Sequence, residues 1–125
     1  MKKETISPGN IVTGENRELK ISELFEESVN CSGYKFSYDV LDGILLSEDW
    51  LIKEGYSHRV MSGQETYDDW IKQTDDENFY TITVQRESGT VWTLKIDNKD
   101  FVNVLTAKVR YIHTLQNLIS NIIYV

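Results

Sequence analysis

The stretch VRYIHTLQNLISNIIYV, residues 109–125, decides the fold class. Val109, Ile112, Leu115, Leu118, Ile119, Ile122 and Ile123 recur at steps of three and four. That spacing predicts an amphipathic helix of three to four turns. Its polar side carries Arg110, His113, Gln116, Asn117 and Asn121. A helix with one apolar stripe needs a surface to cover it, and the rest of the chain reads as the sheet that does so.

The clearest strands precede the tail. In FYTITVQRESGTVWTLKI (79–96), Tyr80, Ile82 and Val84 alternate with polar residues, as do Trp92, Leu94 and Ile96. Glu87-Ser88-Gly89 between them predicts a hairpin turn. DNKD predicts a second turn, and FVNVLTA a third strand. Further upstream, Tyr34, Phe36, Tyr38 and Val40 share one face of GYKFSYDV, which predicts a half-buried strand closed by a turn at Asp42-Gly43. NIVTG predicts a short first strand after the Pro8-Gly9 turn. ELKISEL (18–24) fits neither period cleanly, and its first part leans to strand.

LLSEDWLIKEGY (45–56) is the best local signal. Ser47 is placed as an N-cap, with Glu48 and Asp49 in the first turn, where the helix dipole favours negative charge. Leu46 before the cap and Leu51 four positions after it form a staple. Gly55 takes the left-handed stop and Tyr56 packs back. The prediction is a helix of about two turns anchored by Trp50 and Leu51. For TYDDWIK (66–72) two readings stand: a helical turn capped by Thr66, or a strand. The expected architecture is one α+β domain over residues 1–125. It consists of an antiparallel twisted sheet or small open barrel, a short central helix, and the C-terminal amphipathic helix packed on the sheet.

The totals exclude several chemistries. A single cysteine, Cys31, permits no internal disulfide and no four-cysteine zinc site. His58 and His113 have no second histidine at metal-ligand spacing, and His113 is expected at the surface or boundary of its helix. A Cys31–His113 nucleophile–base pair is formally available, but nothing local activates the thiol. No glycine-rich phosphate loop or GxSxG elbow is present. No cofactor, metal or catalytic residue is therefore assigned. The lysines at the start lead into no apolar run, and no apolar stretch approaches the roughly 20 residues of a bilayer span. The expected compartment is the cytoplasm.

Net charge is −7, and residues 101–125 hold Lys108 and Arg110 with no acid, so residues 1–100 carry −9. The densest acidic run, ETYDDWIKQTDDEN (65–78), includes Asp68, Asp69, Asp75 and Asp76. It reads as a solvated face, since a calcium loop needs a glycine at its sharp turn and none is there. An acidic domain repels phosphate backbones, so nucleic acid is not an expected partner. YKFSY carries Lys35 alone, too little charge for a base-stacking platform.

PGNIV near the start, GILLSEDWLIKEGY in the middle and VRYIHTLQNLISNI at the end resemble, in order and spacing, small proteins encoded by phages and prophages of Bacteroides-type bacteria. The matching positions are Gly9 and Asn10; Ile44, Leu46, Ser47, Glu48, Trp50, Leu51, Gly55 and Tyr56; and Arg110, Tyr111, Ile112, His113, Leu115, Gln116, Asn117 and Leu118. The resemblance covers about a third of the chain. Thr114 departs from the usual glutamine, and residues 57–78 form an acidic stretch outside the pattern. What it implies is a phage origin, in a host cytoplasm or a virion, with no defined activity.

The expected function is non-enzymatic: binding of a host or phage protein, including action against a host defence system. Its expected surface is His113, Gln116 and Asn117, with Asp68, Asp69, Asp75 and Asp76 as the alternative surface. The rival readings are a virion or assembly component that works by homo-oligomerisation, and a small-ligand or nucleotide-binding protein. The amides of Gln116 and Asn117 also have a purely structural reading, as partners of loop backbone over the helix.

Overall fold

A computed structural model describes residues 1–61, 67–75 and 79–123, the side chains of Met61 and Tyr67 excepted. The fold is α+β, with two five-stranded antiparallel sheets, both open, a short helix and a C-terminal helix. The sequence predicts one sheet, whereas the described strands form two. Chain contacts divide into two compact units, Met1–Leu45 with Tyr111–Val125, and Leu46–Arg110.

In the first unit, strands β1 (Ile11–Gly14), β2 (Arg17–Leu24), β3 (Ser28–Cys31), β4 (Tyr34–Ser37) and β5 (Asp42–Gly43) take the order β4-β3-β2-β1-β5. Two-residue turns join β1 to β2 and β3 to β4. Glu15 and Asn16 lie at φ 51° and 62°, and Ser32 and Gly33 at 52° and 90°, so both turns have the positive φ pair that matches strand twist. The ambiguity of ELKISEL has a physical cause. β2 is a strand throughout, but Ser22 is an extra residue between the Ile21↔Cys31 and Glu23↔Asn30 pairs. That bulge shifts the phase, so Leu19, Ile21 and Leu24 turn inward at a step of two and then three.

GYKFSYDV departs from its prediction. The strand ends at Ser37, whose hydroxyl accepts from Asp39 N and starts a 3-10 turn over Tyr38–Val40. Only Phe36 of the four alternating residues is buried, and Tyr34 is 64% exposed. The Asp42-Gly43 turn is instead a two-residue strand, held by pairing of Gly43 with Val12 and Asp42 with Thr13. Ile6, Val12, Leu19, Ile21, Val29, Cys31, Phe36 and Leu41 form the core of this unit.

Helix α2 (Ile112–Ile123) is the predicted tail helix, lying against β1. Ile112 and Leu115 are buried, while Leu118, Ile122 and Ile123 are partly covered. The chain leaves this unit and re-enters it side by side. Leu45 bridges to Tyr111, and Ile112 N donates to Ile44 O at 2.9 Å.

The second unit holds α1 (Glu48–Lys53) and the meander β6 (Ser57–Met61), β7 (Tyr67–Gln73), β8 (Thr81–Ser88), β9 (Val91–Asp97) and β10 (Asn103–Val109), paired in chain order. α1 is built as read. Ser47 Oγ accepts from Trp50 N at 3.2 Å, and Gly55 sits at φ 91°. Gly55 N reaches Ile52 O and Tyr56 N reaches Leu51 O, the two bonds of a Schellman stop. Leu46, Leu51 and Tyr56 are buried; Trp50 is only partly so.

TYDDWIK is a strand, not a helical turn: Tyr67–Gln73 pairs with β6 on one side and β8 on the other. Thr66, its predicted cap, lies outside the described residues, as do Glu65, Asp76 and Glu77. The β8–β9 hairpin sets Ile82 opposite Ile96 and Val84 opposite Leu94, all four buried, with Gly89-Thr90 as the turn.

Candidate functional site

Gln116 and Asn117 are adjacent on α2, and both bind the start of the chain. Gln116 Oε1 accepts from Ile11 N at 2.9 Å. Asn117 Oδ1 accepts from Asn10 Nδ2 at 2.8 Å, and its Nδ2 donates to Thr5 O at 3.1 Å. Asn10 is buried and its Oδ1 accepts from Ser7 N. The backbone of Asn10 accepts from Ile21 N, carrying the clamp into β2. Asn10 and Gln116-Asn117, near opposite ends of the sequence, thus meet in one network. Each amide satisfies a group that α2 would otherwise bury without a partner.

His113 is not the surface or boundary residue the sequence suggests. It is 6% exposed, with its ring 5.6 Å from that of Tyr111 at an interplanar angle of 22°. Both rings press on Gly43. A Cβ there would lie 2.7 Å from Tyr111 Cδ1 and 2.8 Å from His113 Cε1, so any larger residue has to push the two rings aside. His113 Nδ1 is buried without a hydrogen-bond partner, and burial pushes the imidazole below its ordinary value. Beside these rings is an open cleft of about 370 Å³, lined also by Lys2, Thr5, Leu41, Asp42 and Thr114. Gly43 in its two-residue strand is the residue that sequence reasoning missed. No local signal marks it, because its role comes from side chains almost 70 positions away.

The acidic run does not form one solvated face. Asp69 is buried and accepts two bonds from Arg59, at 2.9 and 2.7 Å. Asp68 Oδ1 lies 2.5 Å from His58 Nε2, and the His58 ring stacks on Trp70 at 4.3 Å. Alternation along β7 separates Asp68 and Asp69 onto opposite faces; Asp69 stands opposite Arg59 on β6, and Asp68, opposite Val60, reaches His58 diagonally. Asp75 is exposed; Asp76 lies outside the described residues. Cys31 sits in the core of the first unit, where burial pushes its thiol up and keeps it protonated at neutral pH. Among the described residues no three His, Cys, Asp or Glu side chains gather as a metal would require.

A different surface stands out on the second unit. Phe101 is 89% exposed, Val102 57% and Val104 41%. The predicted strand FVNVLTA starts two residues late, at Asn103, because Asn98 captures the turn. Its Oδ1 accepts from Asp100 N and Val102 N, and its backbone closes on Val102 O and Phe101 N. Phe101 is thereby held at φ 62°, a left-handed conformation that costs an L-residue about 1–2 kcal/mol. β10 is an edge strand, yet it is blunted. Its pairing with β9 slips between Asn103 and Leu105, and Asn103 Nδ2 covers Leu105 O at 3.0 Å.

No helix among the described residues is long and apolar enough to cross a membrane. No protein-family model, curated protein or solved structure matches the chain.

Proposed function

We propose that this is a non-enzymatic protein of phage origin that acts by binding another protein, and that the Phe101 turn is its contact point. The observation that carries this reading is the apolar ledge Phe101-Val102-Val104, presented by a turn with four internal hydrogen bonds. Large exposed aromatics on rigid supports are the usual anchors of protein interfaces. The blunted edge of β10 favours side-chain contact over strand addition. The turn itself carries Lys99 against Asp97 and Asp100, while Lys95 lies further along β9, Lys108 in the far half of β10 and Arg110 just beyond it. Lys108 is shared with Glu87 at 3.2 Å. A protein with an apolar pocket fits such a ledge, whereas two copies of a −7 chain repel.

The engagement of Gln116, Asn117, Asp68 and Asp69 within their own units moves the proposed surface away from them. The phage-like pattern supports a host cytoplasm or virion as the setting. The test is affinity capture from host lysate with the wild type, Phe101→Ser, and Asp68→Asn with Asp75→Asn. Loss of one captured protein with Phe101→Ser and its retention by the acidic-run variant supports the assignment. Equal capture by wild type and Phe101→Ser overturns it. A multimer in light scattering that Phe101→Ser dissolves favours homo-oligomerisation instead.

A further inference from the structure

We propose that His113 is an acid-operated latch that holds the first turn of α2 on β5 at neutral pH and lets it go on acidification. The geometry isolates the ring. Its Nδ1 is buried without a partner, one face stacks on Tyr111, and Gly43 closes against Cε1. A neutral imidazole tolerates this site, because one of its nitrogens carries no proton and needs only to accept. An imidazolium has two N–H donors and a full charge, and here one donor meets no acceptor.

The neighbouring charges do not remove the penalty. Asp42 of β5 and Lys2 line the same cleft and oppose each other in sign, and Thr5 and Thr114 add only hydroxyls. The Met1 amino group, also at the cleft, donates to Tyr38 O at 2.9 Å. β1, against which α2 lies, brings no charged side chain in Ile11–Gly14. Burial is the dominant influence on the ring, and it favours the neutral form.

The direction follows from linkage. A histidine whose folded value is depressed binds its proton more readily once released into water. Its contribution to the latch is therefore complete above the ordinary imidazole value, near 6.5, and is lost as pH falls from there through the folded value. Release costs the ring stack and the bond from Ile112 N to Ile44 O, which is where the chain exits and re-enters this unit. The amide clamp of Gln116 and Asn117 lies a turn further on and carries no titrating group, so opening stays confined to the first turn.

Hydrogen exchange of the Ile112 amide, corrected for its intrinsic rate, reads the latch directly. On going from pH 7.5 to 5, protection is expected to fall by up to about tenfold per pH unit below 6.5, until the folded value is reached. Val84, in the other unit, is expected to keep its protection. His113→Gln keeps a neutral polar group without a titration and is expected to abolish the pH dependence. Flat protection of Ile112 in the wild type, or the same loss in His113→Gln, overturns the proposal. Should His113→Gln not fold, the ring titration in the wild type decides by NMR: a midpoint below 6.5 supports the latch, and one at or above it overturns it.

Discussion

The two compact units solve the same problem by opposite means. The second is a meander of mostly long strands in which every sheet neighbour is also a sequence neighbour, and its buried residues come from alternation. The first has strands of two, four and eight residues and is completed by a helix that returns after 65 residues. It relies on side-chain amides to hold Asn10 and Ile11 to a helix more than 100 positions away. Local pairing needs little loop closure, whereas the first unit must close a long one before its clamp contributes. The expectation is a unit that folds on its own contacts and a unit whose order depends on a few named polar groups.

The largest effect tests the apolar side of this contrast. Leu94 is fully buried at the middle of the hairpin, opposite Val84. Leu94→Ala is expected to cost about 2–5 kcal/mol. All three tryptophans, Trp50, Trp70 and Trp92, lie in the second unit, so their fluorescence during urea unfolding reports this loss selectively. A midpoint that barely moves would mean that the hairpin core is not what stabilises the meander.

The next effect tests the polar side. Asn117→Ala strands the amide of Asn10 and the carbonyl of Thr5, at an expected cost of about 1–3 kcal/mol. Exchange at the Ile11 and Ile21 amides is expected to speed up while the tryptophan transition keeps its midpoint. Asn10→Ala alone and the double variant complete a cycle. Because the two side chains share a bond, the double variant is expected to lose less than the sum of the singles. Additive losses would show that the clamp is two unrelated contacts, and an equal shift in fluorescence would show that the units unfold as one.

The same contrast decides what could be read before the fold was known. The α1 signal was legible because its cap, staple and stop all lie within Leu46–Tyr56. The β8–β9 hairpin was legible because alternation and a glycine turn are local, and the tail helix because its period runs unbroken. The illegible features are non-local. Asp42-Gly43 reads as a turn by composition, but pairing with β1 makes it a strand. TYDDWIK carries a helix-like spacing of Tyr67, Trp70 and Ile71, overridden by strands on both sides. Its acids look like a solvated patch until His58 and Arg59, ten residues earlier, are placed beside them. Of the expected surface, Gln116 and Asn117 take the structural role that the sequence also allows, as partners of the backbone and amide groups beside the helix. His113 was misjudged because its burial depends on a glycine in a distant strand.

A smaller effect checks that local signals also matter energetically. Ser47→Ala removes the acceptor for Trp50 N and is expected to cost about 1 kcal/mol. The loss should appear in exchange at Trp50 and Leu51 more than in the hairpin. A loss under a few tenths would mean that the Schellman stop and the burial of Leu51 fix the helix without its cap.

The smallest effect on stability carries the largest expected effect on binding. Phe101 contributes almost nothing to the core, being 89% exposed, yet it occupies a left-handed backbone position that glycine adopts without strain. Phe101→Gly therefore relieves local strain while raising the entropy of the unfolded chain. The two changes oppose each other, and the net shift in unfolding free energy is expected within about 0.5 kcal/mol. A residue retained for stability would not be a bulky apolar group at such a position, so the strain needs a benefit elsewhere. Isothermal titration with the captured partner measures that benefit. Removing a buried aromatic anchor is expected to cost at least about 2 kcal/mol, a loss of some thirtyfold or more in affinity. Unchanged affinity together with unchanged stability would leave Phe101 as an exposed side chain of no consequence, and the contact point would have to be sought elsewhere on the second unit.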